Sequence, residues 1–114
     1  MKEQLGKGRH SKKQRTWTIH PGEILREEYL KPLRMTSYRL ARELHVPVAR
    51  INDIVLEKRG ISADSAVRLG KFFGTSEAFW LGMQADYDAY HARKRLRKEL
   101  AQITRLNRSE VTAA

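Results

Sequence analysis

The stretch that decides the fold is SYRLARELHVPVARINDIVL, residues 37–56. Its apolar positions fit two short amphipathic helices with a break at residues 45–47. Ala41 supplies the small side chain that two helices need where they cross near a right angle. The apolar residues that can seal the corner between them are Leu40, Leu44, Val46, Ile51 and Ile54. This spacing predicts a helix-turn-helix.

The turn of the motif carries one unusual residue. Its central position needs a left-handed backbone and usually holds glycine, but here it is His45. A residue with a Cβ costs on the order of 1 kcal/mol at such a position. His45 therefore predicts a local loss of stability and no change of fold.

The second helix of the motif turns a mixed polar face outward. An outward Asn can pair with adenine, an Arg with guanine and an Asp with cytosine, while Ala or Val can touch a thymine methyl. The candidate base-reading residues are Val48, Ala49, Arg50, Asn52 and Asp53. A helical hairpin inside an ordinary α-bundle would also have Ala and Leu at such spacing, but that alternative gives no reason for this polar outer face.

Polar and basic residues at the ends of the two helices are candidates for holding phosphates, because such positions flank the groove that a recognition helix occupies. These residues are Thr36, Ser37, Tyr38, Arg39, Lys58 and Arg59.

The flanking sequence predicts three more helices and therefore an all-α fold. Pro21 suits the first turn of a first helix, and Pro32 is expected to stop that helix near Leu30. A fourth helix is expected between a cap at Ser62 and a terminating Gly74. The residues expected on its buried side are Ala66, Val67, Leu69, Phe72 and Phe73.

The fifth helix is capped by Ser76 and, with no Gly or Pro after Gly82, is expected to continue to about Leu106. Its distal part carries a narrow apolar stripe among many basic residues, and such a stripe on a protruding helix needs a partner. We predict a dimer contact formed by Leu96, Leu100, Ile103 and Leu106. A frayed, solvated tail is the alternative.

The net charge of +10 is concentrated at the two ends. Residues 1–16 carry six Lys or Arg against one acid, residues 92–114 carry seven against two, and residues 17–91 carry ten of each sign. We predict a disordered basic tail over 1–16, a helix-turn-helix DNA-binding domain over 17–91, and a C-terminal helix extension and tail over 92–114. Basic ends attract phosphates, although such blocks are often only solvated tails.

Several classes of protein are disfavoured by composition. Cysteine is absent, which removes disulfides, thiol nucleophiles and zinc ribbons. The chain has no apolar run long enough for a membrane span and no signal-peptide core near Met1, so we expect a cytoplasmic protein.

An enzyme is also disfavoured, because the sequence has no glycine-rich phosphate loop and no nucleophile elbow. Asp86, Asp88 and His91 lie at possible metal-ligand spacing on a helix, but such a cluster is more often a solvated face. We expect no catalytic residue, no metal and no cofactor.

Five stretches resemble HigA-type antitoxins, a group within the XRE-like helix-turn-helix proteins. The stretches are HPGEILREEYLKPL at 20–33, RINDIV at 50–55, KRGISADSAVRL at 58–69, FGTSEAFWL at 73–81 and QADYD at 84–88. The resemblance covers about residues 18–95. It implies a five-helix, lambda-repressor-like domain, here with an extended C-terminal helix, that dimerises on a palindromic operator. It also implies Arg50 and Asn52 as base readers, and neutralisation of a ribosome-dependent ribonuclease toxin of the HigB type.

The leading interpretation is therefore a sequence-specific repressor of double-stranded DNA, which as an antitoxin would autoregulate its own operon. A module that chiefly binds a toxin is the first alternative, and a stand-alone regulator without a toxin is the second. Non-specific RNA binding by residues 1–16 and 93–108 is a third alternative, which would require only positive charge.

Overall fold

The computed structural model describes residues 18–109, and this part of the chain forms helices and no strands. The predicted basic tail over residues 1–16 lies outside the described residues. The helices are α1 in three consecutive segments (Pro21–Ile24, Leu25–Leu30 and Lys31–Leu33), α2 (Ser37–Leu44), α3 (Val48–Val55), α4 (Ala63–Phe73), α5 (Glu77–Arg95) and α6 (Arg97–Ala101). The predicted all-α class is confirmed.

Three of these helices begin at a hydroxyl cap, because a Ser or Thr oxygen can satisfy an amide that the first helical turn leaves without a partner. Thr36 accepts from the amide of Arg39 at 3.0 Å, which starts α2. Ser62 and Ser76 do the same for α4 and α5, at 3.2 and 3.0 Å. The caps fix where the chain turns between packed helices.

Helix α1 does not stop near Leu30, as predicted from Pro32, but continues to Leu33. The segment Leu25–Leu30 is π-helical, and the amide of Lys31 bonds to the carbonyl of Arg26. A wider turn just before a proline relieves the clash between its ring and the preceding carbonyls. The helix ends at Arg34, whose backbone is left-handed.

The core lies where α1, α2, α3, α4 and α5 meet, and Trp80 within it is fully buried. The Trp80 indole donates to the Thr75 hydroxyl at 2.8 Å, so its one polar atom is satisfied. Tyr29 and Phe73 pack on the indole as tilted rings. The other side chains buried to 2% exposure or less are Pro21, Leu25, Leu40, Ala41, Ile51, Ile54, Ala66 and Leu69.

Two residues predicted to lie in the core, Val67 and Phe72, are exposed instead. Helix α4 buries a narrower face that includes Ala66, Leu69 and Gly70. A Cβ on Gly70 would meet the Thr75 carbonyl at 2.7 Å, so α4 packs directly on the loop that follows it. Val67 and Phe72 are consequently left on the surface.

Helix α5 does not reach Leu106 but ends at Arg95, and Leu96 forms a corner before the short α6. The pairs Arg93/Arg97 and Lys94/Lys98 would repel each other at i,i+4 spacing in a continuous helix. The apolar stripe is therefore split, because Leu96 lies at the corner, Leu100 in α6, and Ile103 and Leu106 beyond it.

No helix between residues 18 and 109 is long and apolar enough to cross a membrane.

Candidate nucleic-acid interface

Helices α2 and α3 form the predicted helix-turn-helix. Ala41 is 2% exposed at the crossing. His45 adopts the left-handed conformation with φ of 60°, as predicted for the turn. The amide of Val46 bonds to the carbonyl of Ala41 at 3.0 Å, and the amide of His45 to that of Arg42 at 3.2 Å, which closes the end of α2.

The beginning of α1 holds the end of α3 in place. His20 Nδ1 accepts from the amide of Gly22 at 2.8 Å and so caps α1. Gly22 lies directly against the backbone carbonyl of Ile54, and a Cβ on it would overlap that oxygen. Arg26 donates to the carbonyl of Val55, one of the last carbonyls of α3 that has no partner within the helix. Arg26 also pairs with Glu57 at 3.4 Å.

His20 is buried against the edge of the Tyr87 ring, with a centroid distance of 4.9 Å. Burial lowers the pKa of its imidazole, an effect that the carboxylates of Glu57 and Asp88 partly oppose and Arg26 reinforces. The side chain therefore caps α1 in its neutral form.

The outer face of α3 lies at the protein surface, as the sequence predicted. Val48, Ala49 and Asn52 are exposed, whereas Ile51, Ile54 and Val55 on the opposite side are buried. A short helix with one buried face and one exposed face, backed by a second helix, has the geometry that enters a DNA major groove.

Two of the five candidate base readers are engaged by other side chains. The Arg50 guanidinium lies 2.6 Å from the Asp64 carboxylate on α4, and its side chain is only 26% exposed. Asp53 lies 3.5 Å from Arg59 in the loop after α3. Val48, Ala49 and Asn52 have no such ion pair to break.

Asp64 is shared between two arginines. Its Oδ1 atom accepts from Arg50 at 2.6 Å and from Arg68 at 2.7 Å. The guanidinium groups of Arg68 and Arg50 lower the pKa of this carboxyl, so it is charged at neutral pH. Arg68 also donates to the carbonyl of Leu44 at the end of α2, at 2.7 Å.

The six candidate phosphate contacts flank the outer face of α3 in sequence on both sides. Tyr38 is 63% exposed, and the guanidinium of Arg42 lies over its ring. Arg39 pairs with Glu43 at 3.3 Å. Lys58 and Arg59 are exposed, and their amides both bond to the carbonyl of Asp53, which fixes the loop after α3. Thr36 and Ser37 lie at the start of α2, where Thr36 is its cap.

Comparison with known proteins identifies relatives over the described helices, although no family model matches the chain. Virulence-associated protein I of Dichelobacter nodosus is 59% identical over 70 residues, which are 61% of this chain and 65% of that protein. The HTH-type transcriptional regulator YbaQ of Escherichia coli K12 is 36% identical over 85 residues, which are 73% of this chain and 75% of that protein.

The decisive likeness is to a solved structure, the Pseudomonas aeruginosa antitoxin HigA with the higBA promoter. It superposes with a TM-score of 0.76 at 45% identity, over 79% of this chain and 99% of that chain. The chain belongs to the HigA antitoxin family. The resemblance predicted from the sequence is confirmed, and so is the helix-turn-helix class that it implied.

In this HigA-family chain the loop after α3 has a support that the sequence analysis missed. Gln84 on α5 accepts from the amide of Ile61 at 2.7 Å and donates to Asp88 at 2.9 Å. Gly60 packs against the Gln84 amide so closely that a Cβ there would meet it at 2.8 Å. The sequence analysis noted residues 84–88 only as part of the resemblance. Their role as a support was not visible there, because the bond between Gln84 and Ile61 joins residues 23 apart in sequence.

The acidic and histidine residues of the HigA-family chain do not assemble into a metal site within residues 18–109, where no group of three or more suitable ligands is found. Asp88 accepts a hydrogen bond from Gln84, and the His91 ring lies tilted against the Tyr87 ring with a centroid distance of 4.5 Å.

Proposed function

We propose that this chain is a sequence-specific DNA-binding repressor that inserts α3 into the major groove. The observation that carries the proposal is the outer face of α3, where Val48, Ala49 and Asn52 are exposed. The promoter-bound HigA relative, with the same fold, supports it. Repression follows from covering a promoter in the cytoplasm, so the proposal needs no catalytic residue, cofactor or metal.

Base reading is assigned first to the three residues without an ion pair to break. Asn52 can pair with an adenine through two hydrogen bonds, and Val48 and Ala49 can contact thymine methyl groups. Arg50 and Asp53 remain candidates, but each would have to leave a carboxylate or guanidinium partner to reach a base.

Contacts to the DNA backbone are assigned to the residues at the ends of the two helices. Backbone contacts position a protein on the duplex without reading sequence, and each one adds to the salt dependence of binding. The proposed residues are Thr36, Ser37, Tyr38, Arg39, Lys58 and Arg59.

We further propose that two copies bind one palindromic operator. One helix-turn-helix reads one half-site, and a dimer places two of them about 34 Å apart along the duplex. The exposed apolar side chains near the C-terminal end of the described residues are proposed as the dimer contact: Leu96, Leu100, Ile103 and Leu106.

Selection of bound sequences from random duplexes tests DNA recognition directly. We expect enrichment of a palindrome whose half-sites are separated by about one helical turn. Enrichment of no sequence, with equal affinity for all duplexes, would contradict the proposal and would instead fit binding by charge alone.

Membership of the HigA family supports a second part of the proposal, neutralisation of a ribonuclease toxin of the HigB type and repression of the shared operon. The test is expression together with the product of the adjacent gene. We expect a stable complex and loss of ribonuclease activity. A chain that binds its operator but no neighbouring product would be a stand-alone regulator, and one that binds the toxin with no DNA preference would be chiefly a toxin-binding module.

A further inference from the structure

We propose that Asp64 is a positioning residue for DNA recognition, which keeps Arg50 on the protein and thereby fixes the start of α3. In this view Arg50 orients the recognition helix and does not read a base. The inference rests on the proposed function, because it concerns how the same DNA-facing surface is presented.

The position of the Arg50 head group is the first observation. Arg50 is the third residue of α3, on the turn that leads into the groove in helix-turn-helix proteins. Its guanidinium bonds to Asp64 at 2.6 Å and approaches the hydroxyl of Ser65, which is 4% exposed, at 3.4 Å. Both partners belong to the first turn of α4, so the Arg50 side chain runs along the protein surface toward α4.

The second observation is that Asp64 is itself fixed. The oxygen that accepts from Arg50 also accepts from Arg68, and Arg68 reaches the carbonyl of Leu44. That carbonyl belongs to the last turn of α2 and has no partner within the helix. One carboxylate therefore connects the end of α2, the start of α3 and the first turn of α4.

Charge balance favours keeping this arrangement when DNA is bound. If Arg50 moved into the groove, Asp64 would lose its closest partner, and only Arg68 would remain to neutralise its carboxylate. The bond is short and charge-assisted, so it fixes the direction of the Arg50 side chain. The looser pair of Asp53 and Arg59, at 3.5 Å and with its arginine side chain 48% exposed against 26% for Arg50, has no comparable third partner.

Asp64→Asn is the first test variant, and the quantity to measure is the ratio of affinities for the selected operator and for an unrelated duplex at one salt concentration. We expect this ratio to fall about two- to fivefold, the size typical for loss of a solvent-exposed ion pair. Glu77→Gln is the matched control, because it removes one acid from the first turn of α5. We expect the control to leave the ratio unchanged.

Arg50→Lys is the second variant, and it separates positioning from base reading. A lysine can keep an ion pair with Asp64, but it cannot make the planar, two-bond contact with guanine that an arginine makes. We expect this variant to retain the preference at every base pair of the operator, whereas Arg50→Ala should behave like Asp64→Asn. Thermal melting of each variant tests whether the fold is kept.

The inference is overturned if Asp64→Asn leaves the affinity ratio unchanged or raises it, or if Arg50→Lys loses preference at a single base pair. Wild-type protein that selects no operator would instead overturn the proposed function, and this inference with it. A selective wild-type protein with an insensitive Asp64→Asn variant would overturn the positioning role alone.

Discussion

Within residues 18–109, three helix ends place a residue with a side chain in the left-handed backbone region. Arg34, His45 and Glu57 have φ of 53°, 60° and 63°. His45 was foreseen, because the helix-turn-helix spacing marks the position that must turn. The other two were not, since Arg34 follows an unexpected π-helical turn and Glu57 begins a loop whose shape depends on contacts with α1 and α5.

Replacing His45 by glycine should stabilise the protein. Glycine relieves the left-handed strain but gains freedom in the unfolded chain, so we expect a net increase of about 0.5–1 kcal/mol in the free energy of unfolding. Urea denaturation measures this change. Arg42→Gly, at an exposed right-handed position one turn earlier, is the control and should lower stability by about 1 kcal/mol. Equal losses in both variants would show that the turn is not strained.

His20 should make stability depend on pH. The folded protein holds its pKa below the ordinary value of 6.5, chiefly through burial, with Glu57 and Asp88 opposing this effect and Arg26 adding to it. As pH falls below 6.5, the unfolded chain takes up a proton that the folded chain refuses. The free energy of unfolding should therefore be highest well above pH 6.5, decline as the pH falls through 6.5, and level off below the folded pKa.

His20→Asn provides the control for this prediction, because asparagine can still cap α1 but does not titrate. Urea denaturation at several pH values should show a shallower decline for the variant than for the wild type. Identical pH profiles would exclude His20 as the origin of the dependence.

Residue roles were predictable where they depend on local spacing and not where they depend on a distant partner. The outward positions of Val48, Ala49 and Asn52 follow from the helical period around Ile51 and Ile54. The engagement of Arg50 by Asp64 does not, because the partner is 14 residues away on another helix.

At the scale of elements, α3 is held at both ends by different neighbours. The start of α1 and Arg26 hold its C-terminal end, and α4 holds its N-terminal end through Asp64. A short helix of 8 residues is not stable alone in water, so these contacts are what present its outer face.

Gly22→Ala should therefore disturb the seating of α3. The added Cβ would overlap the Ile54 carbonyl, and we expect a loss of about 1–3 kcal/mol in the free energy of unfolding. Gly82→Ala is the matched control, because a Cβ there meets nothing within 4 Å in the middle of α5. It should raise stability by about 0.5–1 kcal/mol. Thermal or urea unfolding distinguishes the two, and equal stability of both variants would contradict the close approach of α1 to α3.

The order of the first five helices was predictable because caps and apolar periods are local signals, whereas the short α6 was not predicted as a separate helix. The errors lie at helix ends, where a competing effect operates. Pro32 was expected to end α1, but the π-helical turn before it accommodates the ring. The absence of Gly and Pro after Gly82 suggested one long α5, but like charges around Leu96 favour a corner.

At the scale of the whole molecule, the positive charge is concentrated at the two ends of the chain. Exposed apolar residues are spread along the described residues, and four of them, Leu96, Leu100, Ile103 and Leu106, lie near the C-terminal end. The middle of the chain, residues 17–91, is neutral by count, so its DNA preference must come from shape and hydrogen bonding. The likeness to the promoter-bound HigA extends over 99% of that protein and 79% of this one, so this chain is the longer of the two.

The C-terminal apolar residues should control oligomeric state. Leu96→Asp combined with Leu100→Asp places two charges at the α5–α6 corner, and we expect a dimer to become a monomer. Light scattering coupled to size-exclusion chromatography measures this. Leu33→Asp, at a more exposed leucine on α1, is the control and should leave the dimer intact. A dimer that survives the double substitution would place the contact elsewhere.

The central claim is that the outward side chains of α3 meet base edges, and Asn52 tests it most directly. Asn52→Ala should weaken operator binding by about 1–3 kcal/mol and relax the preference at one base pair of each half-site. Asn107→Ala, outside the proposed interface, should change neither quantity. Wild-type affinity and unchanged base preference in Asn52→Ala would contradict the placement of α3 in the groove.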